Sequence, residues 1–90
     1  MIKVIKFGAD WCGPCRMLEP TIVSLKEKFN VEDSGVEVIG IDVDVDPETS
    51  SKYGIRNVPT IIFEKDGTVV ERMVGIKQPS DIENKIKTLL

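Results

Sequence analysis

The sequence predicts an α/β fold: a four-stranded mixed sheet flanked by helices, in the order β-α-β-α-β-β-α. Three observations predict it. Short runs that alternate or are rich in Val and Ile are interleaved with segments of helical period. A helical stretch separates the first two strand-like runs, which calls for a parallel, right-handed crossover. The last two strand-like runs meet at Lys65-Asp66-Gly67, a tight-turn signal that makes them antiparallel.

Taken in order, Ile2 to Ala9 alternate, with Ile5 and Phe7 on one face and Val4 and Lys6 on the other, as in a strand. After Trp11-Cys12-Gly13-Pro14 the period changes. Leu18, Ile22, Leu25 and Phe29 recur at helical spacing, giving an amphipathic helix of about four turns that starts near Gly13. Pro20 lies inside it and predicts a kink, because one backbone hydrogen bond is lost. Asn30 to Gly35 is a polar loop, and Val36 to Val43 a second strand. Asp46-Pro47-Glu48 opens a short helix, with Asp46 as cap and Pro47 in the first turn, which ends at Gly54. Pro59 to Glu64 and Thr68 to Val74 are strands. Ser80-Asp81-Ile82-Glu83 reads as the capping box of a closing helix whose Ile82, Ile86 and Leu89 share a face.

Ninety residues make one domain, 1–90, without internal repeat, linker or low-complexity stretch. At 41% hydrophobic and 30% charged residues, the chain falls in the globular range rather than the disordered or membrane range. No run reaches the roughly 20 apolar residues of a membrane helix, so no membrane partner is expected. The N-terminal run, Met1 to Phe7, is short and alternating, unlike a signal peptide. A cytoplasmic, reducing location is therefore expected. The net charge of −3 and the scattered basic residues argue against nucleic-acid binding. There is no histidine, which excludes Ser–His and Cys–His catalysis and removes the commonest zinc ligand.

The chemistry concentrates at the two cysteines, Cys12 and Cys15. A strand ending near Ala9 and a helix beginning near Gly13 place Cys12 at the helix N-terminus and Cys15 one turn in. Free N–H groups and the positive end of the helix dipole favour a thiolate at Cys12. That makes Cys12 both nucleophile and leaving group. Cys15, less exposed, is placed to resolve a mixed disulfide formed at Cys12. Gly13 lets the backbone turn and approach a partner, and Pro14 stiffens the first turn. A metal site would need two further soft ligands, obtainable only by dimerisation, so no metal is expected.

Trp11-Cys12-Gly13-Pro14-Cys15 resembles the active-site signature of the thioredoxin family, in which a lowered thiol pKa is a known property. Pro20 matches that family's kink proline. Lys52-Tyr53-Gly54-Ile55-Arg56 followed by Val58-Pro59-Thr60 resembles the segment leading to its cis-proline. Asp66-Gly67 matches its hairpin turn and Gly75 a glycine of its substrate groove. The likeness runs from Ile2 to Leu90. It implies a thioredoxin-type protein-disulfide oxidoreductase, with a cis Val58–Pro59 peptide facing the disulfide and the backbone near Val58 pairing with an extended substrate.

No bound cofactor is implied beyond the Cys12–Cys15 pair itself. NADPH would act only through a partner, since no dinucleotide-binding glycine motif is present. The expected partners are proteins carrying disulfides, and either a thioredoxin reductase or a glutathione system. A monomer is expected.

Three departures from the family mark the chain. It lacks the strand and helix with which the family usually begins, resembling short thioredoxin- and glutaredoxin-like proteins, and its second strand becomes a sheet edge. Lys6 stands where the family has a buried Asp beneath the disulfide, and Gly40 where a partner Lys of that Asp usually lies. A Lys6 ammonium under the site would favour thiolate and a less reducing disulfide. A neutral Lys6 amine would instead accept a proton, and a Lys6 that snorkels to the surface would do neither. Trp11 is expected half-exposed, shielding the disulfide and contacting partners. Asp42, Asp44 and Asp46 straddle a strand end and a cap rather than forming a cation site. Met17 and Met73 have two readings, lining the substrate surface or filling gaps in the packing, and gap-filling is expected for both. The rival readings are a binding module docking through the surface around Trp11 and Pro59, and a metal site shared across a dimer.

Overall fold

The computed structural model describes residues 1–90. The elements are β1 (Ile2–Gly8), α1 (Gly13–Phe29), β2 (Val36–Asp42), α2 (Pro47–Lys52), β3 (Thr60–Lys65), β4 (Thr68–Val74) and α3 (Pro79–Leu89). The sheet order is β2-β1-β3-β4, with β1 parallel to β2 and antiparallel to β3, and β3 antiparallel to β4. The mixed α/β sheet expected from the sequence is thus present, with β2 at its edge.

The alternation in β1 divides the interior in two. Ile2 and Val4, with Val36, Val38, Ile61 and Phe63, pack against Leu18, Ile22, Leu25 and Phe29 of α1 and Ile82 and Ile86 of α3. Full burial of such a side chain contributes about 1.5–3 kcal/mol, so this layer dominates the stability. On the opposite face Ile5, Phe7 and Ile62 form a smaller cluster bordered by half-buried Ile39, Ile41, Val43, Tyr53 and Ile55. Phe7 and Tyr53 meet there with ring centroids 5.5 Å apart.

The α1-facing side of β1 changes character along its length. Ile2 and Val4 are followed by Lys6 and Gly8, so the strand becomes polar and then small where the start of α1 lies across it. That change makes room beside the cysteines.

Several local expectations shift by a residue or more. Strand β3 begins at Thr60, because Pro59 has no N–H for the ladder. Strand β2 ends at Asp42: Val43 still donates to Gly8 O, but the N–H groups of Val45 and Asp46 turn back to Asp42 O. Helix α3 is not capped by Ser80. Pro79 occupies its first turn, where a missing N–H costs nothing, so Gln78 is the cap residue. Its N–H donates to Asp81 Oδ2 at 3.3 Å. Asp46 caps α2 through Thr49 N–H at 3.1 Å. At the β3–β4 turn both Asp66 (φ 52°) and Gly67 (φ 85°) are left-handed, the geometry a tight hairpin needs.

Candidate active site

The path from β1 into α1 builds the site. Cys12 N–H donates to Ala9 O at 3.1 Å, closing the turn that ends the strand. Cys12 is the residue before the first turn of α1, with extended backbone, and Gly13 and Pro14 open the helix. In place of the usual Ser or Asp, the Cys12 sulfur takes the cap position: Cys15 N–H points at it from 3.2 Å. A donor aimed at the sulfur stabilises a thiolate there more than a thiol. Cys12 and Cys15 are joined as a disulfide with their Cα atoms 5.2 Å apart, and both are buried, at 5% and 2% exposure. Ala9 packs with them, bordered by Val43 and Val58.

In front of the disulfide, the Cys12 sulfur lies 3.7 Å from Val58 O. The Val58–Pro59 peptide bond is cis, and Pro59 is buried. Gly75 N–H donates to Pro59 O at 2.9 Å, tying the end of β4 to this wall. Trp11 stands further out than expected, at 68% exposure, with its indole N–H donating to Asp44 Oδ2 at 2.8 Å. A cleft of about 350 Å³ beside it is lined by Trp11, Val43, Ile55, Arg56, Asn57 and Val58. Met17 is exposed rather than gap-filling, since it lies off the Leu18–Ile22–Leu25 stripe of α1. Met73 does pack against the larger core.

Behind the disulfide is a second cleft, of about 340 Å³, whose lining includes Lys6, Gly8, Cys15, Arg16, Glu19 and Lys26. Lys6 does not snorkel to open solvent. Its side chain is 11% exposed, and Nζ pairs with Glu19 Oε2 at 3.0 Å. A Cβ built on Gly8 would lie 2.9 Å from Lys6 Nζ and 3.3 Å from Cys15 Cβ. The ammonium and the resolving cysteine therefore face the same small space. Opposite Gly40 the nearest atom to a built Cβ is Lys26 Nζ, at 3.8 Å.

Two participants here were missed by the sequence reading, and both had a local signal. Glu19 follows Cys15 by four residues on a helix, hence the same face one turn on. Gly8 follows Lys6 by two on a strand, hence the same side. Asp44, the partner of Trp11, had none, because it arrives from the loop after β2. The three carboxylates Asp42, Asp44 and Asp46 are engaged separately, with Asp44 N–H, Trp11 and the start of α2. No group of three or more Cys, Asp and Glu side chains comes together as a metal site.

A family model described as thioredoxin matches residues 1–88. The chain belongs to the thioredoxin family. Thioredoxin H2 of Arabidopsis thaliana is 37% identical over 88 residues, covering 98% of this chain and 62% of the relative, so the chain spans less than two thirds of that protein. The thioredoxin of Bacillus subtilis is 38% identical over 85 residues, covering 94% of this chain and 79% of the relative. Among solved structures, a mutant thioredoxin from Halobacterium salinarum superposes with a TM-score of 0.85 at 38% identity, covering 98% of this chain and 74% of that one. Fasciola hepatica thioredoxin gives 0.86 at 32% identity, over 99% and 81%. Thioredoxins are thiol–disulfide oxidoreductases, and the Cys12–Cys15 disulfide at the start of α1 supports that activity here.

Proposed function

We propose that residues 1–90, as one domain and a monomer, reduce protein disulfides by dithiol exchange, with Cys12 attacking and Cys15 resolving. The observation that carries this reading is the Cys12 sulfur in the cap position of α1, with Cys15 N–H aimed at it from 3.2 Å. In the reduced protein, that donor and the helix N-terminus hold Cys12 as a thiolate. The thiolate attacks a substrate sulfur, forming a mixed disulfide and releasing the substrate's other sulfur as a thiolate. Cys15, on the next turn of the same helix, then attacks Cys12, which frees the substrate and leaves the Cys12–Cys15 disulfide.

Val58, Pro59 and Gly75 form the wall against which an extended substrate segment lies. Val58 O sits beside the Cys12 sulfur, where a substrate N–H is within reach of it. Trp11 covers the outer side, Gly13 leaves the approach open, Pro14 restrains the first turn, and Lys6 supports Cys15 from behind. Electrons return from a separate reductase: an NADPH-linked thioredoxin reductase, or glutathione. We place the reaction in the cytoplasm, a reducing compartment in which a lone Cys12–Cys15 pair is catalytic rather than structural.

The test is turnover of a protein disulfide with dithiothreitol as electron donor. Reduction accelerated by the wild-type chain, with a covalent, reductant-sensitive adduct accumulating on Cys15→Ser, is the expected result. No acceleration and no adduct would leave a binding module as the reading. The equilibrium potential then identifies the donor: a value near about −270 mV favours a thioredoxin reductase, and one near about −200 mV favours glutathione.

A further inference from the structure

Cys12 and Cys15 do not share the same electrostatic support. The N–H that stabilises a Cys12 thiolate is the backbone N–H of Cys15. Cys15 itself is the third residue of α1 and is 2% exposed, and burial opposes its ionisation. Yet the second exchange needs Cys15 as a thiolate. Another source of stabilisation must reach it from behind.

The cleft at the back of Cys15 supplies one. Three cationic side chains face it: Lys6 from β1, and Arg16 and Lys26 from α1. Three carboxylates share it: Asp10 before α1, Glu19 on α1, and Asp42 at the end of β2. These do not cancel at Cys15. Arg16 is turned to Asp10 O at 3.0 Å, Asp42 accepts from Asp44 N–H, and Lys26 lies over Gly40. Lys6 alone combines low exposure with a position against Cys15. Its partner Glu19 is 49% exposed, so water screens the carboxylate while the ammonium stays on the inner side.

Gly8 makes this possible. Its backbone is not left-handed; its lack of a side chain matters for space alone, since a Cβ there would meet Lys6 Nζ at 2.9 Å.

We infer that Lys6, seated in the space left by Gly8 and anchored by Glu19, promotes ionisation of the resolving Cys15 thiol, and so acts as a positioning residue for the second exchange. The inference rests on the dithiol mechanism proposed above. In that step the Cys15 thiol releases its proton to water in the cleft and out past Glu19. The thiolate pair forms the Cys15–Cys12 bond while the bond from Cys12 to the substrate sulfur breaks. The departing substrate sulfur keeps that electron pair and takes up a proton. The two cysteines lose two electrons, and the substrate disulfide gains two.

The experiment isolates Cys15 in a Cys12→Ser background and follows its thiolate by ultraviolet absorbance across pH, without any substrate. Lys6→Met is expected to raise the midpoint by about one pH unit, roughly tenfold less Cys15 thiolate at neutral pH. Lys6→Arg, which keeps the charge, is expected to restore most of the shift. Gly8→Ala alters no charge; its Cβ displaces the flexible end of Lys6 and also presses on Cys15 Cβ, at 3.3 Å, and is expected to shift the midpoint the same way by less. An unchanged midpoint in Lys6→Met, or in Gly8→Ala should Lys6→Met not fold, overturns the inference. So does a Lys6→Arg midpoint as high as that of Lys6→Met, which would make Lys6 merely structural. Because no substrate enters the titration, a shift of the expected kind in a chain that reduces no protein disulfide would count against the mechanism above and not against this role.

Discussion

The two sides of the Cys12–Cys15 disulfide are built differently. In front stand Val58, the buried Pro59 and the exposed indole of Trp11, a mainly apolar wall with one backbone carbonyl beside the Cys12 sulfur. Behind lie an ammonium, a carboxylate and a glycine: Lys6, Glu19 and Gly8. In the proposed reaction the front takes the substrate and must accommodate different sequences, which backbone contacts and a flat apolar surface allow. The back takes no part in that contact, and a low-exposure charge there acts at short range without strong screening. The difference separates recognition from proton chemistry, and substitutions can be aimed at either side alone.

The largest effect is expected where the two sides meet. Cys15→Ser should abolish turnover and trap substrate covalently on Cys12, seen as a reductant-sensitive adduct on a denaturing gel, whereas Cys12→Ser should trap nothing. Next comes the back. Lys6→Met with both cysteines present should slow resolution of the mixed disulfide about tenfold near neutral pH and converge on wild type at high pH, measured in single-turnover mixing. A loss that persists at high pH would mean disrupted packing rather than a missing charge.

A smaller effect is expected in front. Trp11→Ala should weaken protein-substrate binding by about 1 kcal/mol, raising KM about fivefold with little change in the Cys15 titration. Asp44→Asn, which weakens the acceptor of the indole N–H, should raise KM less than Trp11→Ala does.

A substitution outside the charged cleft behind Cys15 serves as control. Tyr53 donates its hydroxyl proton to the buried Glu64 at 2.7 Å, and this bond beside a carboxylate pushes its pKa up to about 12. The ordinary value in the unfolded chain is about 10. The folded state thus holds the proton more tightly. Stability from this group is complete below about pH 10 and is lost as pH rises towards 12. Tyr53→Phe should cost about 1 kcal/mol in denaturant unfolding at neutral pH, flatten that alkaline loss, and leave the Cys15 midpoint unmoved.

Much of this architecture was legible in the chain. The switch from alternation to helical period after Trp11-Cys12-Gly13-Pro14 locates the start of α1, and with it Cys12 as the cap residue. The order of seven elements and the Asp66-Gly67 turn follow from local pattern too. What was not legible has physical causes. The cap of α3 moved to Gln78 because Pro79 took the first helical position. Met17 and Trp11 are more exposed than their apolar character implies, because the helix stripe and the β2–α2 loop leave them outside.

By itself, then, the sequence determined the fold class and the place of the two sulfurs at a helix start, since each depends on periodicities and spacings within a few residues, and its motifs carried the resemblance to the family. Only the tertiary structure decided what surrounds those sulfurs. Asp44 reaches Trp11 across 33 positions of sequence, and Val58 reaches Cys12 across 46. Whether Lys6 points to solvent or to Cys15 depends on the packing of α1 across β1 and on the single missing Cβ of Gly8. A charged side chain's direction is set by the space and partners around it, and these come from other parts of the chain.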